Sequence, residues 1–193
     1  MEKLEAIQNE LKQILSEKRY LHSVGAMKKA EELAKIYGID IAKAKLAALT
    51  HDIAKEMPKE EMLAYVQQNS IPINEIEQEQ LGLLHGKIGA DIVKKKYGFS
   101  EDMQKAIEYH TTGSIQMDTL AKIVFIADKT EETRDYDNVE EVRELACQNL
   151  ERCMLYLLND VIKKNVKKEK LIALESIELR NQILIKLANA EKI

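Results

Sequence analysis

Histidine is scarce in this chain and falls at four positions: His22, His51, His85 and His110. Asp52 follows His51 directly, and Asp128 lies further on inside an apolar run. Neutral imidazoles and carboxylates are the side chains that hold a catalytic divalent metal. Successive positions are roughly thirty, thirty, twenty-five and twenty residues apart, close to one ligand per helix of a bundle. Side chains of these types at this spacing point to hydrolysis assisted by a metal ion.

Local context sharpens several of them. Adjacent helical residues project about 100° apart, so His51 and Asp52 reach one ion most easily at a helix end. Lys55 comes one turn later on the same face, placed to hold a phosphate beside the metal. Asp128 shares a stripe with Leu120, Val124 and Ala127, which predicts a carboxylate entering the interior. Such a group is costly to bury unless it is paired or metal-bound. Gly25 and Ala26, close after His22, leave room for a neighbouring element. His85 and His110 have two readings, ligands of a second metal or direct phosphate contacts, and phosphate contact is preferred. Arg134 is either a solvated surface charge or a phosphate contact. Thr111-Thr112-Gly113 is a helix stop whose hydroxyls and N–H groups could cradle an anion. The run Lys163 to Lys168 reads as a solvated helix end.

Positioning these groups requires helices. Seven glycines and two prolines in 193 residues, with few β-branched runs, predict an all-α bundle. One stripe runs through Leu4, Ile7, Leu11, Ile14 and Leu15. A second runs through Leu21, Val24, Met27, Ala30, Leu33, Ala34 and Tyr37, closed by Gly38. Asp40 caps a third helix running to His51, and Pro58 suits the first turn of a fourth reaching about residue 68. Asn74 starts a short helix to Leu81. Residues 84–97 form a helix ended by Gly98, and Ser100 caps the next, which ends at His110. Thr119 to Lys129 is apolar enough to be buried. One long amphipathic helix is expected over 139–166, and a last one over about 175–187.

Composition narrows the function classes. Hydrophobic residues are 45% and charged residues 32%, so disorder is not expected. A net charge of −4 argues against general nucleic-acid binding. No stretch has membrane-spanning length, and the N-terminus shows no apolar core of a signal peptide. The expectation is a cytoplasmic protein without nucleic-acid or membrane partners. Cys147 and Cys153 are the two cysteines and are expected to stay reduced. The apolar-striped tail helices could pack against a second copy as a homodimer.

The order His…His-Asp…Asp is the signature of the HD-domain phosphohydrolase superfamily, which this chain resembles over about residues 17–135. Arg19-Tyr20-Leu21-His22-Ser23, Leu49-Thr50-His51-Asp52-Ile53-Ala54-Lys55 and His85-Gly86 are similar to its YqeK-type branch. So are His110-Thr111-Thr112-Gly113, Ile126-Ala127-Asp128-Lys129-Thr130-Glu131 and Arg134-Asp135-Tyr136. Members are bacterial symmetrical bis(5′-nucleosyl)-tetraphosphatases, which split diadenosine tetraphosphate into two ADP.

The resemblance implies one HD-type domain over 1–193, with a metal core at about 17–135 and a helical cover at about 139–193. It implies His22, His51, Asp52 and Asp128 as iron ligands, a donor set that also suits manganese, cobalt or zinc. It implies nucleotide contacts at Arg19, Tyr20, Leu21, His22, Asp52, His85, Thr111, Thr112, Asp128 and Arg134. A further contact is implied in the tail, at Leu171, Ile172, Ala173, Leu174, Glu175 and Ser176. There the chain departs from the pattern, with Leu174-Glu175-Ser176 in place of a His-Pro-like turn, although Arg180-Asn181 fits. The chemistry falls to Asp52, with Lys55, Arg134, His85 and His110 neutralising charge on the phosphates. Two other readings compete: an HD phosphohydrolase of mononucleotides or deoxynucleotides, and a non-catalytic nucleotide-binding regulator.

Overall fold

The chain's helices start and stop where side chains can satisfy the backbone. The computed structural model describes residues 2–190, which form eleven α-helices and no strand. α1 (Glu2–Ile14) buries Ile7 and Leu11. α2 (Glu17–Tyr37) begins at Ser16, whose hydroxyl accepts from the Arg19 backbone N–H. The same hydroxyl donates to Glu56 at 2.6 Å, tying the start of α2 to the turn after α3. Gly38, at φ +66°, closes α2 in the left-handed conformation, and Asp40 caps α3 (Ile41–Thr50). α4 (Lys59–Gln68) starts just after Pro58, and α5 (Glu75–Glu79) opens with a reciprocal capping box between Asn74 and Glu77. A short 3-10 turn over Leu81–Leu83 leads into α6 (His85–Tyr97), which ends at Gly98. α7 (Glu101–Glu108) and α8 (Thr119–Thr130) follow, the second capped by Asp118.

Two expectations are corrected here. The helix expected over 139–166 is two helices, α9 (Val139–Gln148) and α10 (Leu150–Lys167), before α11 (Leu174–Ala190). Asn149 makes the break: it leaves the helical region at φ −158°, ψ 105°, and its side chain accepts from the Arg152 N–H to cap α10. Ser100 does not cap α7 with its hydroxyl, which is bonded instead to the Asp102 carboxylate. In the apolar stripes Ile14 and Leu21 face out, 51% and 52% exposed, while Ile7, Leu11, Ala30 and Leu33 are buried.

α2 and α3 pack on each other and on α8, and α7 packs on α3, α8 and α6. α8 lies at the centre: Ile123, Val124, Phe125, Ile126 and Ala127 are all fully or almost fully buried. α1 closes one side over α2 and α3, while α9 and α10 pack on α8, with α11 on α10. A smaller core of Ala54, Met62, Val66, Leu84 and Ile88 joins α4 to α6. Among the described residues no helix is long and apolar enough to cross a membrane.

Candidate active site

Four helices, α2, α3, α6 and α7, bring the histidines together, and α8 adds Asp128. His22 lies in the second turn of α2, His51 caps the C-terminus of α3, and Asp52 follows in the turn. His85 opens α6, His110 follows the end of α7, and Asp128 is in the last turn of α8. All four histidines and Asp52 are buried.

Donor atoms of His22, His51 and Asp128 gather in one group, and Asp52 joins His51 and His110 in an overlapping one. His22 Nε2 is 3.2 Å from His51 Nε2, 3.0 Å from Asp128 Oδ1 and 3.7 Å from Asp52 Oδ2. His51 Nε2 is 3.4 Å from Asp52 Oδ2 and 3.6 Å from Asp128 Oδ1. These are the edges expected between ligands that each stand about 2.0–2.2 Å from one ion. Asp52 turns its other oxygen to the second pair, with Oδ1 3.2 Å from His85 Nε2 and 3.5 Å from His110 Nε2. Those two ring nitrogens are 3.0 Å apart.

Hydrogen bonding at the back of each ring says which nitrogen carries the proton. His51 Nδ1 donates to Ala48 O at 2.6 Å, His85 Nδ1 to Gly82 O at 2.5 Å, and His110 Nδ1 to Ile107 O at 2.6 Å. Each of these carbonyls belongs to the residue three positions earlier. His22 Nδ1 donates instead to a side chain, Glu131 Oε1 at 3.0 Å. Acceptors on Nδ1 place the neutral ring's lone pair on Nε2, which in all four histidines faces the centre. Paired lone pairs beside two carboxylates repel one another unless a cation stands among them, and Asp52 Oδ1 has no hydrogen-bond partner. The residues therefore fit a divalent ion. His51 shows the same demand for positive charge. Burial alone would lower its pKa, but Asp52 and Asp128 outweigh burial and push it up to about 10. His110, in contrast, is pulled down to about 4 by burial, with Asp52 opposing, so it is neutral near pH 7. The Nε2 atoms of His85 and His110 both face Asp52 Oδ1, a position where a second cation or a phosphate would meet them.

Two glycines make these approaches possible. A Cβ at Gly25 would collide with Glu131 Oε2, so the bare α2 backbone is what admits the carboxylate behind His22. A Cβ at Gly86 would stand 2.6 Å from Glu108 O, so α6 and α7 pack closely enough for His85 to meet His110.

Glu131 went unnoticed in the sequence as a functional group. It is fully buried, and besides His22 it accepts from the Thr133 backbone N–H and hydroxyl at 2.7 and 2.6 Å. Burial would raise its carboxyl pKa, but the bonds from His22 and Thr133 hold it below the usual range. Its position in a run of charged residues hid it; the signal that could have found it is the glycine one turn after His22.

Cations surround the carboxylates. Arg19 Nη1 donates to Asp52 Oδ2 at 2.6 Å, and Arg134 Nη2 to Asp128 Oδ1 at 2.6 Å. Lys129 Nζ donates to Asp128 Oδ2 at 3.2 Å and to His110 O at 2.9 Å. Lys55 Nζ lies 3.2 Å from His85 Nε2, beside the Thr111 hydroxyl, which is also 3.2 Å from that nitrogen. Burial pulls both lysines below the usual range, against the nearby carboxylates. Lys129 was not singled out from sequence.

These groups open into a cleft of about 410 Å³ that includes Arg19, Asp52, Lys55, Thr111, Asp128 and Arg134. Its far wall comes from Tyr136 and from α10, which sequence reasoning did not connect to the site. A second cavity, about 240 Å³, lies along Thr111–Ser114 and reaches Ala173 and Glu175. The tail segment stands there: Ser176 Oγ donates to Thr112 O at 2.6 Å, and Gln80 Nε2 donates to Leu171 O at 3.2 Å. Ile172 is half-buried and Leu174 is 62% exposed. Tyr20 packs on the core and Leu21 faces out, so neither joins the polar cluster.

The HD domain model matches residues 19–133. The chain is 37% identical over 161 residues to the symmetrical bis(5′-nucleosyl)-tetraphosphatase of Bacillus subtilis, covering 83% of this chain and 86% of that one. It is also 37% identical over 177 residues to the protein of the same name from Halalkalibacterium halodurans, covering 89% and 91%. A crystal structure of a predicted HD superfamily hydrolase from Clostridium acetobutylicum, described as involved in NAD metabolism, superposes with a TM-score of 0.91 at 36% identity. It covers 94% of this chain and 97% of that one.

Proposed function

The chain belongs to the HD domain family, and we propose that it is a metal-dependent, symmetrical bis(5′-nucleosyl)-tetraphosphatase that hydrolyses diadenosine tetraphosphate to two ADP. The observation that carries the reading is the convergence of His22, His51, Asp52 and Asp128, lone pairs inward, beneath a rim of four cations. Iron is the proposed ion, held by those four residues. A divalent ion supplies Lewis acidity there, drawing charge from a phosphoryl oxygen and acidifying water. Asp52 Oδ1, His85 and His110 offer a second cation position of the same chemistry, so metal analysis of purified protein should distinguish one ion per chain from two.

The chain's own residues do the rest. Arg19, Lys55, Lys129 and Arg134 line the path of a tetraphosphate and neutralise its charge as it builds on the oxygens around the attacked phosphorus. In the symmetric cut, water oxygen bonds to one inner phosphorus. The bond from that phosphorus to the central bridging oxygen breaks, and its electron pair leaves with the second ADP. Thr111 and Thr112 line the second cavity, which would take a nucleoside, and Ala173 and Glu175 border it from the tail. The substrate's charge and size agree with a cytoplasmic enzyme acting on a free nucleotide.

Incubating diadenosine tetraphosphate with metal-loaded protein should give ADP alone on anion-exchange chromatography. AMP with ATP would mean asymmetric attack, and phosphate released from mononucleotides would favour the wider phosphohydrolase reading. Binding without turnover would favour the regulator.

A further inference from the structure

A symmetric cut makes a geometric demand. Water must reach the midpoint of the tetraphosphate, so a nucleoside diphosphate has to extend from the reaction centre in two directions. The tail segment and Thr111–Ser114 border a cavity on one side only. The larger cleft has a different lining, and Thr111 is the residue common to both. Beyond Arg134 and Lys129 its wall changes character. Leu157 and Val161, one turn apart on α10, give an apolar strip, and Asp160 and Lys164 stand beside it as an ion pair of 2.7 Å. Tyr136 closes the wall, held by its hydroxyl's bond to Lys129 O at 3.0 Å, with the Lys164 ammonium 5.5 Å from its ring centroid.

We propose that Tyr136, Leu157, Asp160, Val161 and Lys164 form the binding site for the second nucleoside of the dinucleotide, the first taking the cavity along Thr111–Ser114. The inference rests on the tetraphosphatase reading above. A base has apolar faces and a polar edge, which the apolar strip with its flanking ring and the Asp160–Lys164 pair match respectively. Lys129 and Arg134 lie between the metal ligands and this wall, where they meet the phosphates leading to it. Leu157, Asp160, Val161 and Lys164 lie outside every motif around the histidines, so substitutions there can change substrate length while the metal-site residues stay in place.

The test compares two substrates with the same four phosphates: diadenosine tetraphosphate, and adenosine 5′-tetraphosphate, whose corresponding cut yields ADP and pyrophosphate. The wild type should favour the dinucleotide in kcat/KM by about tenfold or more, the scale of one base stacked on a protein surface. Val161→Trp, which fills the strip, should bring the ratio near one, chiefly by raising KM for the dinucleotide. Lys164→Ala, on an exposed side chain that asks little of folding, should lower the ratio in the same direction. A wild type without preference, or variants that leave the ratio unchanged or lose both substrates equally, would overturn the second site while leaving the tetraphosphatase reading intact. A wild type that cuts neither substrate overturns that reading and the inference with it.

Discussion

At the scale of single residues the site is a problem of electrostatic balance, and its members differ in how much each supplies. Asp52→Ala should abolish turnover, because it removes a proposed metal ligand and one of the two negative charges facing the ring nitrogens; near-full activity would mean the cluster has been misread. Lys55→Ala should cost less, about 10- to 1000-fold in kcat, the scale of one lost electrostatic contact. Glu131→Gln keeps an acceptor for His22 Nδ1 but loses the charge, and should weaken metal affinity by about tenfold, read by competition with a chelator. Unchanged affinity would reduce Glu131 to packing. His22, His51, Asp52 and Asp128 were legible in the sequence because histidine is scarce, Asp52 adjoins one of them, and Asp128 stands in an apolar run. Glu131 and Lys129 were not, since neighbours of a ligand in a charged stretch look like surface until the glycine opposite is seen to admit one of them.

Elements were legible where punctuation was strong. Gly38 with Asp40, Gly98, and Asn74 with Glu77 mark their helix boundaries in plain residue chemistry. The break between α9 and α10 escaped because apolar periodicity continues across it: Val142, Ala146, Leu150, Cys153 and Leu157 are all buried. A pattern read every three or four residues does not register a turn that preserves its phase. Asn149 carries that break, so Asn149→Ala should destabilise the protein by about 1 kcal/mol, seen as a lower midpoint in thermal unfolding. An unchanged midpoint would mean that packing alone sets the angle between the two helices.

At the scale of the whole molecule, the bundle class follows from periodicity, but the cleft wall does not, because no motif marks the meeting of α10 with Tyr136. We propose that residues 139–193 are a cover on the metal core rather than an independent unit. Cys153, Met154, Leu157 and Leu158 are buried in the main core, so deleting 139–193 should leave a chain that does not unfold cooperatively. A truncated protein that melts sharply and binds nucleotide as before would refute this. Removing metal with a chelator should lower the thermal midpoint of the intact chain, and returning the ion at a hundredfold excess over its Kd should restore about 2.7 kcal/mol. No shift would mean that His51 protonation balances the carboxylates as well as a metal does.

Three of the four rings are anchored by main-chain carbonyls, which no substitution deletes. Heritable variation can replace His51, His85 or His110 outright, but it has no side chain at Nδ1 through which to retune their orientation by degrees. His22 differs, since its anchor is a side chain encoded at position 131. Gradual drift in metal preference among descendants of this chain therefore has a natural point of entry there, with Gly25 fixing how large the residue at that position can be.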